Sequence, residues 1–129
     1  MGDTESGFYL DTDLPGGFDR GLRTVGLSAV TARSGGLRFA DDDEHLLEAT
    51  RLGLVLISHN AKAFYLLHRA WRRWTAEWKL ERTHAPILVM AQAPLTALVA
   101  AVLAAVAAGL PNPNEMCSWR PRRGWRSVP

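Results

Sequence analysis

Three groups of polar residues stand next to apolar segments in a pattern that could support metal-dependent chemistry. Asp11 and Asp13 come directly after the apolar run 8–10. The acidic run 41–44 precedes a helical pattern, and the triplet Ser58-His59-Asn60 follows the apolar run 54–57. Carboxylate oxygens are the ligands that Mg²⁺ prefers in proteins, and a bound divalent ion activates water and stabilises an attacked phosphate. These residue types therefore predict a site for a divalent cation.

The same residues also have purely structural explanations. Asp13 can cap a turn, and the acids at 41–44 can cap a helix and complement its dipole. His59 can transfer a proton or contact a phosphate, or it can be a structural residue at a strand end. Ser58 and His59 are adjacent, so on a strand their side chains point to opposite faces, which argues against a Ser–His nucleophile pair. At this point the structural and functional alternatives stay open.

The elements that must position these residues alternate between strands and helices. Strand-like runs are at 7–11, 27–32, 54–57 and 86–90, with a short fifth at 116–119, and helical patterns cover 18–25, 41–52, 61–80 and 95–110. This alternation predicts the α/β class, a three-layer α/β/α sandwich around a mostly parallel sheet of four or five strands. In such sheets the working site lies at the carboxyl ends of the strands, where the three polar groups should meet.

Length and composition are typical of one globular domain. The chain has 129 residues, of which 47% are hydrophobic and 22% charged. We expect a domain over 7–119 and a flexible, basic, proline-containing tail over 120–129. One cysteine excludes an internal disulfide framework and a multi-cysteine metal site. The polar start is unlike a signal peptide, and the apolar run 97–110 is too short to cross a bilayer, so we expect a cytoplasmic protein with no membrane contact.

Charge is distributed unevenly along the chain. Residues 1–50 carry ten acids and four arginines, whereas residues 51–129 carry eleven Lys and Arg and three Glu. The asymmetry indicates a cation site beside an anion-binding surface, and the alternative is chance spacing of solvated charges. Arg72 and Arg73, on the outer face of the helix at 61–80, are candidates to bind an anionic substrate, together with Ser58 and His59. The alternative for the two arginines is a simple solvated helix face.

The order and spacing of these motifs resemble one family. The pattern begins with Leu10-Asp11-x-Asp13-Leu14-Pro15 and continues with Asp42-Asp43-Glu44 at the start of a helix. Ser58-His59-Asn60 follows, with Phe64 after it, and the pattern ends with His84, Gln92 and a closing Asn and Trp. Together they resemble the small stand-alone PIN-like proteins, long catalogued as a domain of unknown function and often found near toxin–antitoxin genes. The resemblance runs from Gly7 to Trp119 and rests on the combined pattern, because no single motif is specific.

The resemblance implies a PIN-like α/β/α fold and a nuclease, usually acting on RNA, that depends on Mg²⁺ or Mn²⁺. It implies the toxin of a toxin–antitoxin pair, with RNA and an antitoxin protein as partners and a homodimer as a further option. The residues that it places at the active site are Asp11, Asp42 and Asn60. The metal ligands that it implies are Asp11, Asp13, Asp42 and Asp43.

The chain departs from the family at one position that bears on activity. Members usually carry Asp immediately before the Phe that follows the Ser-His-Asn motif, and this chain has Ala63 before Phe64. Fewer carboxylates mean weaker metal binding. Two hypotheses follow: a PIN-like ribonuclease, intact or degenerate, and a non-catalytic binding module of the same fold that contacts a protein or a nucleic acid.

Overall fold

The computed structural model describes residues 7–37 and 39–129, so the polar N-terminal stretch 1–6 and Arg38 lie outside the description. Within the described residues, the chain forms six strands and four helices. The strands are β1 Phe8–Leu10, β2 Ala29–Thr31, β3 Val55–Ser58, β4 Ile87–Met90, β5 Met116–Arg120 and β6 Gly124–Val128. The helices are α1 Phe18–Thr24, α2 Asp42–Leu52, α3 Ala61–Glu77 and α4 Leu95–Ala107.

The six strands form one mostly parallel sheet in the order β2-β1-β3-β4-β5-β6. Strands β1 to β5 are parallel to their neighbours, and only β6 is antiparallel, to β5. Strand β2 lies on one side of β1, and β3 and the later strands lie on the other side. The order of strands therefore reverses between β1 and β3, and this crevice at the carboxyl ends is where open α/β sheets bind ligands.

Helices cover both faces of the sheet, so the fold has three layers. On one face α1 and α4 pack over alternate strand residues such as Phe8, Ile57 and Leu88, with Phe18 and Leu98 from the helices. On the other face α2 and α3 pack over the intervening residues, with Phe64 and Leu46 buried against the strands. Strand residues that alternate between two covered faces give the uninterrupted apolar runs seen in the sequence. The α/β class and the parallel sheet are confirmed.

The strand count exceeds the predicted four or five, because part of the expected flexible tail is a strand. Residues 124–128 form β6, whose register pairs Trp125 with Trp119. The Trp125 indole nitrogen donates to the Ala101 carbonyl on α4 at 2.7 Å. A cross-strand aromatic pair and a hydrogen bond to a helix supply the contacts that order this segment. Residues 124–128 therefore belong to the sheet, whereas the sequence predicts a flexible tail over 120–129.

Replacing Trp125 with Phe should lower the free energy of unfolding by about 1–2 kcal/mol, since it removes a partly buried hydrogen bond and some apolar contact. The matched control is Trp78→Phe, because that indole is 67% exposed. We expect the control to change stability by less than about 0.5 kcal/mol. Urea unfolding measures both. Equal effects in the two variants would contradict the packing of β6 against α4.

Helix α3 is shorter than predicted, and its apolar stripe extends beyond the core. It ends at Glu77 rather than at residue 80, and Lys79 then adopts a positive φ of 53°. Phe64 is fully buried, whereas Trp74 is 55% exposed and Trp78 is 67% exposed. No helix in the described part of the chain is long and apolar enough to cross a membrane.

Candidate functional site

Asp11 is the centre of a polar cluster at the crevice between β1 and β3. It directly follows β1, and its backbone N–H donates to the Ile57 carbonyl of β3 at 3.0 Å. The residue is only 6% exposed. One carboxylate oxygen accepts the Thr12 backbone N–H at 2.7 Å, and the other accepts the Ser58 hydroxyl at 2.7 Å. A buried carboxylate fixed by two short hydrogen bonds presents its charge in a defined direction.

Ser58 and Asn60 connect Asp11 to the start of helix α2. The Asn60 backbone N–H donates to the Ser58 hydroxyl oxygen at 2.9 Å. The Asn60 amide nitrogen donates to the Asp42 carboxylate at 3.0 Å, while its amide oxygen accepts the Ala63 N–H and caps α3. Asp11, Asp42 and Asn60 therefore lie together at the carboxyl edge. With its oxygen engaged in the cap, Asn60 orients Asp42 through its nitrogen.

Asp13 adds a third carboxylate at the surface of the cluster. Its side chain accepts the His59 backbone N–H at 3.3 Å and lies 3.4 Å from the Ser58 hydroxyl. Removal from water, and after it the negative charge of Asp11, raises the pKa of Asp13 above its usual value. The hydrogen bonds from His59 and Ser58 offset part of this increase. A bound cation would relieve the repulsion between Asp11 and Asp13.

Asp42 shows the same electrostatic signature from the other side of the crevice. Desolvation is the main cause that raises the pKa of Asp42, followed by the charge of Asp11. The His45 ring and the Asn60 hydrogen bond lower that pKa in part. The carboxylates at the end of β1 and at the start of α2 thus repel each other when both are ionised at neutral pH.

His45 also belongs to this cluster. The ring is 1% exposed, and its Nδ1 lies 2.9 Å from the Tyr9 hydroxyl. Its Nε2 lies 3.5 Å from Asp11 and has no hydrogen-bond partner within the described residues. Burial, followed by the charges of Glu48 and Asp11, raises the pKa of Tyr9 to about 12. The usable sequence signal is the i, i+3 spacing of Asp42 and His45, which places both on one helix face.

A second group of acidic residues lies at the N-terminus of α2 and faces solvent. Asp41, Asp43 and Glu44 place carboxylate oxygens within 4.8 Å of one another, close enough to hold one metal ion. All three residues are exposed. Asp41 and Glu44 also form the capping box of the helix, in which the Glu44 carboxylate accepts the Asp41 N–H at 3.0 Å. Helix capping therefore accounts for two of these three acids without a ligand.

The structure divides the predicted substrate residues between two places. Ser58 and His59 lie at the acidic cluster, where the Nδ1 of His59 is 2.7 Å from the Met90 carbonyl. Arg72 and Arg73 lie further along α3 and line a separate cavity of about 450 Å³, whose other residues are Tyr65, Arg69 and Pro129. Twelve residues of helix separate Asn60 from Arg72, a rise of about 18 Å. Asp43, predicted as a ligand beside Asp11, stands in the exposed triad with Asp41 and Glu44.

A small cavity opens beside Asp11 on the α1 side of the crevice. Its volume is about 220 Å³, and Thr12, Asp19 and Arg33 are among the polar residues that line it. Asp19 forms an ion pair with Arg23 at 3.0 Å, so its charge is partly neutralised. The cavity gives Asp11 an approach for a small polar group.

In comparisons with known proteins, no family model, no curated protein and no solved structure matches this chain.

Proposed function

We propose that this chain is a PIN-like, divalent-metal-dependent ribonuclease whose metal site is centred on Asp11. The observation that supports it best is the placement of Asp11, Asp13 and Asp42 at the one crevice of the sheet where the strand order reverses. Carboxylates from separate segments are concentrated there, and burial, followed by the charge of Asp11, raises the pKa values of Asp13 and Asp42. The position of this acidic cluster at the crevice where open α/β sheets bind ligands supports a functional site.

Carboxylate oxygens at this crevice are the ligand type that a hard divalent cation takes, although among the described residues it is the exposed triad that places three acids within 4.8 Å of one another. Asp11 is buried, and no lysine or arginine is recorded as its ion-pair partner among the described residues. Asp11, Asp13 and Asp42 would hold Mg²⁺ or Mn²⁺, with water completing the coordination, as is usual for Mg²⁺. The exposed triad of Asp41, Asp43 and Glu44 is the alternative position for the ion. A divalent cation supplies Lewis-acid activation of water and neutralises charge on an attacked phosphodiester.

The protein groups around the acids keep the cluster in place and orient a substrate. Ser58 fixes Asp11, and Asn60 fixes Asp42. His59 is held by the Met90 carbonyl and lies next to Asp13, where it would contact a phosphate or transfer a proton. Arg72 and Arg73, exposed along α3, would bind the RNA backbone beyond the cleaved bond. We propose further that the protein is a cytoplasmic toxin and that an antitoxin protein neutralises it.

The test is cleavage of an end-labelled, mixed-sequence single-stranded RNA by the purified full chain. Product formation with Mn²⁺ or Mg²⁺, and its loss on addition of EDTA, is the expected result. Replacing Glu77, an exposed acid in the last turn of α3, by Gln should leave the rate unchanged and controls for preparation effects. Cleavage that persists undiminished in EDTA would reject a metal-dependent nuclease.

A non-catalytic binding module is the second candidate, and Ala63 is the observation that favours it. Ala63 is the third residue of α3, and its N–H serves the Asn60 cap. The position where the family usually has a carboxylate therefore contributes only a methyl group beside the cluster. Metal binding without RNA cleavage would favour this second candidate.

Replacing Ala63 with Asp should tighten Mn²⁺ binding about tenfold, since it adds a negative charge near the cation and Asp is favourable in the first turn of a helix. Repulsion from Asp11 and Asp42 limits the gain. Calorimetric titration measures the affinity, and Ala76→Asp at the exposed far end of α3 controls for the change in net charge. Equal affinity in wild type and Ala63→Asp would place residue 63 outside the reach of the metal.

A further inference from the structure

The buried ring of His45 presents an unsatisfied nitrogen to the acidic cluster. Among the described residues no hydrogen-bond partner of its Nε2 is recorded, although His45 is 99% buried and a carboxylate oxygen of Asp11 is 3.5 Å away. A buried polar atom without a partner destabilises the folded state, so such atoms need an explanation. Nitrogen and oxygen ligands of one metal ion commonly lie about 3 Å apart when each is about 2.1 Å from the ion.

We propose that His45 Nε2 is a nitrogen ligand of the cation held by Asp11, and that the site therefore selects a first-row transition ion such as Mn²⁺ over Mg²⁺. This inference rests on the proposed metal dependence and deepens it. Imidazole binds transition ions well, whereas Mg²⁺ prefers oxygen. One nitrogen among oxygen ligands is thus the feature that separates the two ions.

The position of His45 on α2 supports the assignment. Asp42 and His45 are three residues apart in α2 and therefore share a helix face. His45 lies against Asp11 and is on the same face of α2 as Asp42. Potential ligands from the end of β1 and from α2 thus meet at one crevice.

Tyr9 gives the ring the support that ligating histidines have. A metal-binding imidazole usually donates its other N–H to an acceptor, which fixes the tautomer and the orientation of the ring. The Tyr9 hydroxyl lies 2.9 Å from Nδ1 and can either donate or accept a hydrogen bond. By accepting from Nδ1–H it leaves the lone pair of Nε2 directed at the acids. Tyr9 is in this sense a positioning residue.

The experiment uses the full-length protein and the two metals alone. Calorimetric titration should show Mn²⁺ binding at least tenfold tighter than Mg²⁺ in the wild type. Replacing His45 with Gln should weaken Mn²⁺ binding about tenfold and change Mg²⁺ binding less than threefold. Tyr9→Phe keeps the imidazole and should weaken Mn²⁺ binding about threefold, so the assignment stays testable if His45→Gln does not fold.

Spin-echo spectroscopy of bound Mn²⁺ supplies a direct readout, since it detects hyperfine coupling to a bonded nitrogen. The wild type should show this coupling, and His45→Gln should lose it. His59→Gln is the matched control and should retain it, because the Nδ1 of His59 faces the Met90 carbonyl. Bound Mn²⁺ without nitrogen coupling in the wild type, or coupling lost only in His59→Gln, would overturn the role of His45 and leave the metal-dependent nuclease standing. Binding of neither metal would overturn both.

Discussion

Replacing Asp11 with Asn should lower the rate of metal-dependent RNA cleavage at least 100-fold and weaken Mn²⁺ binding at least tenfold. Asp11 is the most buried of the clustered acids, and it lies closest to the reversal of strand order. Removing one full charge from a divalent site costs several kcal/mol at an effective dielectric near 20, and a 100-fold rate loss corresponds to about 2.7 kcal/mol. Initial rates at saturating Mn²⁺ and calorimetric titration measure the two effects.

The substitution preserves shape, so its effect on folding should be small. The Asn oxygen can still accept the Thr12 N–H, and its amide nitrogen can donate to the Ser58 hydroxyl oxygen, which has a second lone pair. In the metal-free variant, loss of the Asp11 charge should move the pKa values of Asp13 and Asp42 down toward their usual range. Carbon-detected NMR titration of the carboxyl groups observes this change independently of any catalytic activity.

Asp43→Asn distinguishes the two positions available to the cation. If the ion binds at Asp11, the Asp43 variant should lose less than threefold in Mn²⁺ affinity, because that side chain belongs to the exposed triad. If the triad of Asp41, Asp43 and Glu44 holds the ion, the ranking of the two variants reverses. That reversed ranking would contradict the assignment of the site to Asp11.

The sheet and its polar edge could be predicted from the sequence because local signals are strong there. Asp11 and Ser58 each end a run of apolar residues abruptly, and the parallel arrangement then brings both to one edge. The hydrogen bond between them confirms that the edge is shared. What the residue types alone do not specify is which acids face inward. Asp42 and Asp43 are adjacent, yet only Asp42 is recorded in contact with Asn60.

Two features were missed for identifiable reasons. His45 has no metal-ligand spacing to another histidine, so the sequence does not single it out, and only the fold brings it against Tyr9 and Asp11. Strand β6 was missed because proline and arginine dominate the segment 120–126. Its signal was the pair Trp119 and Trp125 flanking a glycine-containing turn, in which Gly124 has a φ of 72°. Paired aromatics around such a turn are typical of a hairpin.

A buried pair of histidines, remote in the sequence from the acids, should make the stability of the protein depend on pH. His68 and His84 are both at most 1% exposed, and His68 Nδ1 lies 2.7 Å from His84 Nε2. The Nδ1 of His84 lies 2.6 Å from the Ala85 carbonyl, which only accepts, so that nitrogen carries the proton. The neutral His84 Nε2 then accepts from His68 Nδ1–H. Both of these hydrogen bonds form only when the two imidazole rings are uncharged.

Acidification should therefore destabilise the protein through His68. Burial, then the His84 ring and Arg72, lowers the pKa of His68 from 6.5 to about 4, although the Val128 and Pro129 carbonyls oppose the change. Between these two pH values the unfolded chain binds a proton that the folded chain does not. The free energy of unfolding thus rises with pH across this window, and it falls by about 2–3 kcal/mol as the pH drops from 6.5 to 4.

Replacing His68 with Gln should remove most of that pH dependence, because Gln offers an N–H to His84 but does not titrate. Urea unfolding at several values between pH 4 and pH 7 gives the slope for each protein. The raised pKa values of Asp13 and Asp42 act in the opposite direction, since their protonation relieves repulsion and favours the folded state as the pH falls. They are present in both proteins, so the difference between the slopes isolates His68. Parallel slopes for wild type and His68→Gln would show that His68 takes up its proton equally in the folded and unfolded chains, and the hydrogen-bonded neutral pair would then be wrong.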